Sequence, residues 1–399
     1  MASVSRGSRT VHVALITSLY PPSVGGIQSH TRALAEALAA RGARVDVVTR
    51  TAPGHPRIAR PAPNLAVHRV GAPPGAPGPA ATLAYVAGAV RRLVRLRPHV
   101  LHAHQLLSPT SASLVTASFL DVPVLVNPHA CGPIGDVGVL SATALGRARL
   151  RATVRRADAF VGISAAIREE LLAAGAPGDR VHAVPNGVDL ERFRPASPDE
   201  RRAARRALGA GGPVIAYCGR LSIEKGVDVL VAAWPRVLAA FPGARLHLLG
   251  EGAERERLAA QVHALGVDAS VVLAGAGDPV PLLRAADVSV LPSRTEGMPV
   301  ALLEAMAAAV PVVATAVGGS AELLRPGGLG LLAPPDDPLR LADAIVASLR
   351  EPAPTAERAA AALALVRDRY SIGAVADRLL DLYERLARLR GRLPAPAVP

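Results

Sequence analysis

The feature that most constrains this chain is an alternation that occurs twice: short apolar runs of strand length follow one another with helical patterns between them, then a polar break, then the same again. Val11–Thr17, Val45–Thr49, Val100–His104, Val122–Val126 and Ala159–Ile163 read as strands of a first domain. Val214–Tyr217, Arg245–Leu249, Ser270–Ala274, Val288–Leu291 and Val312–Ala314 read as strands of a second. Such runs, apolar on both faces and separated by helices, build parallel sheets covered on both sides. The expected fold is therefore α/β, with two Rossmann-like doubly wound domains. The break lies at Asp189–Gly212, with its charge clusters, Pro195, Pro198 and a Gly-Gly pair. Domains are expected at 1–195 and 196–370. The amphipathic segment Ile372–Leu389 then forms a last helix within 371–399, followed by a disordered tail after Arg392. Gly71–Pro79, rich in Pro, Gly and Ala, reads as a flexible loop. Ligands of doubly wound sheets sit beyond the carboxyl ends of the strands, so two facing domains imply a cleft between them.

With 399 residues, half of them hydrophobic, there is material for two cores. Cys131 and Cys218 lie far apart, which suggests neither a disulfide framework nor a metal-ligand spacing and fits a reducing, cytoplasmic setting. The apolar run from Val11 to Leu19 is too short for a signal peptide or a membrane span, and no later stretch reaches about 18 uninterrupted apolar residues. The net charge of +13 is lopsided: residues 1–195 hold 22 basic and 10 acidic side chains, and the remainder holds 23 and 22. A field of that kind attracts phosphorylated substrates or an anionic membrane face, unless the chain merely favours Arg throughout. Aromatics are 3% of residues, too few for the stacking platforms of a single-strand binder, so nucleic acid is not expected as a partner.

One residue stands out among the 45 basic ones: Lys225 is the single lysine. Lys is a compact point charge and Arg a planar fork, so they are not interchangeable where a phosphate oxygen is met in a tight space. Lys225 ends Cys218-Gly-Arg-Leu-Ser-Ile-Glu-Lys, after an expected strand and at the start of an expected helix. There Arg220 and Lys225 can both reach an anion, assisted by a helix N-terminus. Each charge-assisted bond to phosphate contributes roughly 1.5–3 kcal/mol. The alternative is a solvated surface lysine.

A second constellation, Ser293-Arg-Thr-Glu-Gly-Met-Pro-Val-Ala-Leu-Leu-Glu304, follows another strand. Pro299 suits a first helical position, which leaves Glu296, Gly297 and Met298 in the loop and Glu304 inside the helix. Carboxylates so divided can grip different hydroxyls of one sugar-containing ligand. Gly25 and Gly26, after the first strand, allow backbone N–H groups close to a diphosphate, without forming the dinucleotide fingerprint. His102 and His104 end one strand and His129 follows another. A metal held by these three is disfavoured by the lack of a carboxylate set, and the absence of any Asp-x-Asp argues against a divalent ion on the diphosphate.

Taken together these residues resemble glycosyltransferase family 4, a retaining GT-B group, over nearly the whole length. The resemblance rests on Gly25-Gly26, His129, Val184-Pro-Asn-Gly-Val-Asp189, Gly219-Arg220 through Lys225-Gly226, Leu249-Gly-Glu251-Gly, Glu296 through Glu304, and Val317-Gly-Gly-Ser-Ala-Glu322. It implies a hexosyltransferase in which Arg220 and Lys225 hold the donor diphosphate and Glu304 the nucleotide ribose. Glu296, with Gly297 and Met298, would position the donor sugar, and His129 would hydrogen-bond it near the reacting carbon. Glu251 and Pro299 would belong to the same donor-binding set, and the resemblance also implies that the last helix, Ile372–Leu389, crosses back to the first domain. Asn127 and Ala130 around the Pro-His pair, and Gly132-Pro-Ile-Gly-Asp136 beyond it, depart from the family pattern. That puts acceptor identity in question and makes Asp136 and His104 candidate acceptor contacts. No cofactor is expected beyond a nucleotide-sugar co-substrate, UDP-sugar in preference to GDP-sugar, and no metal. Acceptors admitted are a small molecule, a lipid or a glycan. A GT-B-shaped nucleotide-sugar epimerase and a non-catalytic nucleotide-sugar binding protein are the rival readings.

Overall fold

The structure, a computed structural model, describes residues 11–23, 25–76, 78–326 and 328–394. The described residues divide into two compact units: one takes in those up to Ser23, Ile27–Pro185 and those from Ile372 onward, the other Asn186–Ser371 with Gly25 and Gly26.

The first unit is built on an eight-stranded sheet: β1 (His12–Thr17), β2 (Arg44–Arg50), β3 (Ile58–Ala62), β4 (Leu65–Val70), β5 (Val100–His104), β6 (Val124–Asn127), β7 (Ala159–Gly162) and β8 (Val181–Ala183). Their order is β3-β4-β2-β1-β5-β6-β7-β8, all parallel except the edge strand β3. Every residue of β1, β5, β6 and β7 is buried, as strands covered by helices on both faces require. The helix Ile372–Leu389 completes this unit. Its inward stripe of Val375, Leu379, Leu382, Tyr383 and Leu386 repeats at three- and four-residue steps. Tyr383 Oη lies 2.6 Å from His102 Nδ1 on β5. Arg41 grips Asp377 with two nitrogens, and Arg390 reaches Asp121 and Asp158.

The second unit carries β9 (Val214–Cys218), β10 (Arg245–Leu249), β11 (Val271–Gly275), β12 (Val288–Leu291), β13 (Val312–Thr315) and β14 (Leu331–Ala333), in the order β11-β10-β9-β12-β13-β14 and wholly parallel. This is the Rossmann strand order, whose winding reverses between the first and fourth strands, here β9 and β12. Trp234 and Tyr217 are the largest side chains sealed into its core.

All ten strands expected from the sequence are present within two residues at each end. The hairpin β3–β4 and the short edge strands β8 and β14 were not anticipated. The polar break is not an open linker, because it contains the helix Pro198–Ala207, started by a capping box between Ser197 and Glu200. Arg201 and Arg205 of that helix bind Asp287 at 2.6 and 2.7 Å. In the expected loop Gly71–Pro79 a helix has already begun at Gly78. Residues 395–399 of the expected disordered tail lie outside the described residues.

Candidate functional site

The reversal between β9 and β12 brings two loops of the second unit together, residues 219–226 after β9 and 292–299 after β12. A crevice at such a point is where doubly wound sheets bind ligands. The first loop is braced by the segment after β10: Gly219 N donates to Leu249 O at 3.0 Å, Leu221 N to Glu251 O at 2.9 Å, and Glu254 N to Leu221 O at 3.0 Å. A Cβ on Gly250 would stand 1.7 Å from Gly219 O and one on Gly252 2.0 Å from Leu221 O, so the Leu249-Gly-Glu-Gly segment is glycine-rich to permit this backbone contact. The Glu251 side chain is half exposed and pairs with Arg255 at 3.3 Å.

Ile223–Lys225 forms one 3₁₀ turn, closed by Gly226 in the left-handed region at φ 60°. Gly226 also sits where a Cβ would be 2.1 Å from Pro292 O, so the two loops touch through their backbones. Arg294 fastens them further: its guanidinium donates to Ile223 O at 2.5 Å and to both carboxylate oxygens of Asp228 at 2.9 and 2.8 Å, while Nε reaches Asp336 at 2.7 Å. The bidentate partner holds the Asp228 carboxyl below its ordinary range and raises that of Arg294 in turn.

This scaffold fixes the lone lysine. Lys225 Nζ lies 2.6 Å from Glu296 Oε1, and Ser293 Oγ donates to the same oxygen at 2.6 Å. With side chains 20% and 6% exposed, Lys225 and Glu296 form a largely buried pair, so Lys225 is not a solvated surface lysine. The ammonium retains further donor capacity beyond this one contact. Arg220 differs: its side chain is 60% exposed and only loosely paired with Glu224 at 3.9 Å, which leaves its guanidinium open to an incoming anion.

Glu296-Gly297-Met298 is held from two directions. A Cβ on Gly318 would lie 2.0 Å from Glu296 O and one on Gly319 2.3 Å from Gly297 O, which explains the paired glycines of Val317–Glu322. From another side, buried Asn186 donates Nδ2 to Met298 O at 3.0 Å, giving the Val184-Pro-Asn-Gly stretch a mechanical purpose. Pro299 caps the helix Val300–Ala307, and Glu304 lies within it. Glu304 is buried yet has no hydrogen-bond partner among the described residues. Burial pushes its carboxyl up to about 8, against the attraction of Arg192, and it lies within electrostatic reach of Cys218 at the end of β9. A buried carboxyl group without a partner costs stability, and hydroxyl donors from a ligand would remove that cost.

Gly25 and Gly26 group with the second unit although they follow β1 in the chain, Gly25 preceding and Gly26 opening the helix Gly26–Ala40. In the first unit, His104 at the end of β5 and His129 beyond β6 meet edge to edge, their planes 11° apart and their ring centroids 5.2 Å apart, and share a hydrogen bond of 2.9 Å. His104 is fully buried and His129 half-buried, so any ligand contact from this pair passes through His129. Asp136 is also buried: it begins the short helix Asp136–Ser141 and accepts from Leu106 N at 2.8 Å. Burial raises its carboxyl to about 6, opposed by that amide and by Arg149. No group of three His, Cys, Asp or Glu side chains among the described residues is arranged to hold a metal ion. No helix among them is long and apolar enough to cross a membrane.

Lys225, Arg220, Glu296 and Glu304 are named from the sequence, which gives no role to Ser293, Arg294, Asp228 or Asn186, the side chains that brace Glu296 and the loops on either side of the switch point. Ser293 and Arg294 were visible as part of the Ser-Arg-Thr-Glu run. Asp228 lay outside every motif, and its partner is 66 residues away.

The family descriptions that match the chain are "Glycosyltransferase Family 4" over residues 24–192 and "Glycosyl transferases group 1" over residues 212–351. A glycogen synthase of Mycobacterium tuberculosis is 32% identical, the alignment covering 98% of each chain. A D-inositol 3-phosphate glycosyltransferase of Xylanimonas cellulosilytica is also 32% identical, over 97% of this chain and 99% of the other. The solved structure of a sucrose-phosphate synthase from Thermosynechococcus elongatus superposes with a TM-score of 0.80 at 26% identity, covering 94% of this chain and 99% of that one. With both parallel-sheet units, the switch-point loops and full-length relatives in agreement, the chain belongs to glycosyltransferase family 4, has the GT-B fold and is a glycosyltransferase.

Proposed function

We infer that the chain is a retaining hexosyltransferase that takes its sugar from a nucleotide diphosphate donor, UDP-linked in preference to GDP-linked, without a metal ion. The observation that carries the donor assignment is that the segments following β9 and β12, the two strands of one switch point, supply an anchored cation, Lys225, and a buried carboxyl without a hydrogen-bond partner among the described residues, Glu304. The cation suits a diphosphate and the carboxyl suits a ribose diol. Arg220 joins Lys225 on the phosphates. Glu296, held by Ser293 and Lys225, and the backbone of Gly297 and Met298 receive the sugar hydroxyls, and His129 contributes a further hydrogen bond to that sugar. Gly25, Gly26, Glu251 and Pro299 complete the donor set, the last two by shaping loops. The second unit would then be the donor domain and the first the acceptor domain, with Asp136 a candidate for acceptor contact.

Departure of the diphosphate moves negative charge onto its oxygens in the transition state. Lys225 and Arg220 stabilise that charge from positions set before the reaction, and no covalent nucleophile is needed. The acceptor is a small molecule, a lipid or a glycan. The exposed Arg147, Arg151 and Arg155 of the helix Ala144–Arg156 suit a phosphorylated acceptor or peripheral contact with an anionic membrane from the cytoplasmic side. Arg149 and Arg156 of the same helix are spent instead on Ser111 and Ser118.

Mass-spectrometric screening of UDP- and GDP-hexoses, each with and without acceptors and in EDTA, tests this reading. Transfer with a UDP-hexose, unchanged by the chelator, is expected. Lys225→Ala should lower kcat about 100- to 1,000-fold with the circular dichroism spectrum intact. Near-normal turnover in that variant, or donor conversion without any acceptor, would contradict the assignment.

A further inference from the structure

The chain of rings in the first unit has a direction that hydrogen-bond accounting can fix. His104 sits between two other histidines: the tilted ring of His102, two residues back on the same strand face, at 4.3 Å between centroids, and the nearly coplanar ring of His129, met edge to edge, at 5.2 Å. His30 lies beyond, 6.2 Å from His129, and Tyr383 closes the far end on His102. Burial, reinforced by the neighbouring imidazoles, holds His104 and His129 well below their ordinary range, so both are neutral. A neutral imidazole carries one N–H and one bare nitrogen, and the His104 Nδ1 to His129 Nε2 bond needs one of each.

Two arrangements satisfy that bond, and they differ at the remaining nitrogen of His104. His104 Nε2 is buried with no partner. If His129 were the donor, His104 would carry its proton on Nε2, an N–H buried with nothing to accept it. If His104 is the donor, the orphan is only a lone pair, which is the lesser penalty. The same chain holds a parallel. His68 places Nε2 2.6 Å from a carboxylate oxygen of Asp46, which accepts only, and so in its uncharged form leaves Nδ1 as a bare nitrogen, also buried without a partner.

We propose that His104 is a positioning residue: its Nδ1–H donates to His129 Nε2 and so locks His129 in the tautomer that carries its proton on Nδ1, available to a ligand oxygen. The Nδ1 of His129 makes no hydrogen bond among the described residues. The bond offered is therefore that of a donor, and the ligand class it selects is an oxygen with a free lone pair, such as a sugar hydroxyl or carboxylate. The ligand part of this statement rests on the reading of His129 given above; the tautomer does not.

Long-range ¹⁵N–¹H correlation spectra of the full chain labelled with ¹⁵N-histidine provide the test, with His129→Ala supplying the assignment. The expected wild-type spectrum shows His129 protonated at Nδ1 and bare at Nε2. His104→Asn, whose amide can place an N–H near the former Nδ1, should keep that signature and kcat/KM within about threefold of wild type. His104→Phe should give a tautomer mixture and about a tenfold loss of kcat/KM, the size of one hydrogen bond. A wild-type His129 protonated at Nε2, or an unaltered His129 signature in His104→Phe, would overturn the proposal. The spectra are read without substrate, so a failure of sugar transfer leaves this result standing apart.

Discussion

Glu304 is a carboxyl group that folding makes reluctant to ionise, with a value of about 8 against an ordinary 4.5. Between those values the folded chain binds the proton more tightly than the unfolded chain does. The stability associated with the residue is therefore fully present below about 4.5 and is lost as pH rises toward 8. Glu304→Gln has no proton to lose. Thermal melts should coincide for variant and wild type near pH 5, and the variant should melt higher at pH 9, by as much as about 4 kcal/mol of stability. Equal pH dependence of the two proteins would show that Glu304 ionises in the fold as readily as in water. The side chains facing the crevice were legible in the sequence because their chemistry is unusual there, a single Lys and two Glu bracketing a Pro. The Lys225–Glu296 contact was not legible, since cation and carboxylate were each assigned to the ligand and neither to the other.

At the scale of elements, the site depends on two loops keeping their mutual register, and Arg294 is the side chain that spans them. Arg294→Ala would strip the bidentate partner from Asp228 and a donor from Ile223 O. Loss of about 2 kcal/mol in urea unfolding is expected, with donor affinity falling as well. An unchanged affinity beside the lost stability would mean that Lys225 and Glu296 hold their places without the strap. Central strands were readable because burial on both faces leaves a continuous apolar run. The missed strand β3 is an exposed edge containing Pro61, and the missed helix Pro198–Ala207 has no buried residue to give it an apolar stripe. The glycines at 226, 250, 252, 318 and 319 stand out in the sequence only as parts of the motifs that carry the family resemblance. Their actual task, letting one backbone approach another, depends on neighbours distant in the chain.

At the scale of the molecule, the first unit is assembled from both ends of the sequence, and the helix Ile372–Leu389 supplies the Tyr383 hydroxyl to His102. His102 Nε2 is already without a partner, so Tyr383→Phe would leave both ring nitrogens buried and unbonded. A cost of about 1–3 kcal/mol is expected, visible as faster hydrogen exchange of β5 amides, with those of β9 and β12 unaffected. Uniform acceleration across both sheets would instead mark a loss of global stability.

The discontinuity also sets a timetable for biosynthesis. His102 and Tyr383 are 281 residues apart, so a ribosome finishes the whole second unit before the last helix of the first emerges. Until then the nascent first unit must wait with one flank of its core uncovered, while the second, whose sheet comes wholly from the single stretch Asn186–Ser371, is free to close on its own.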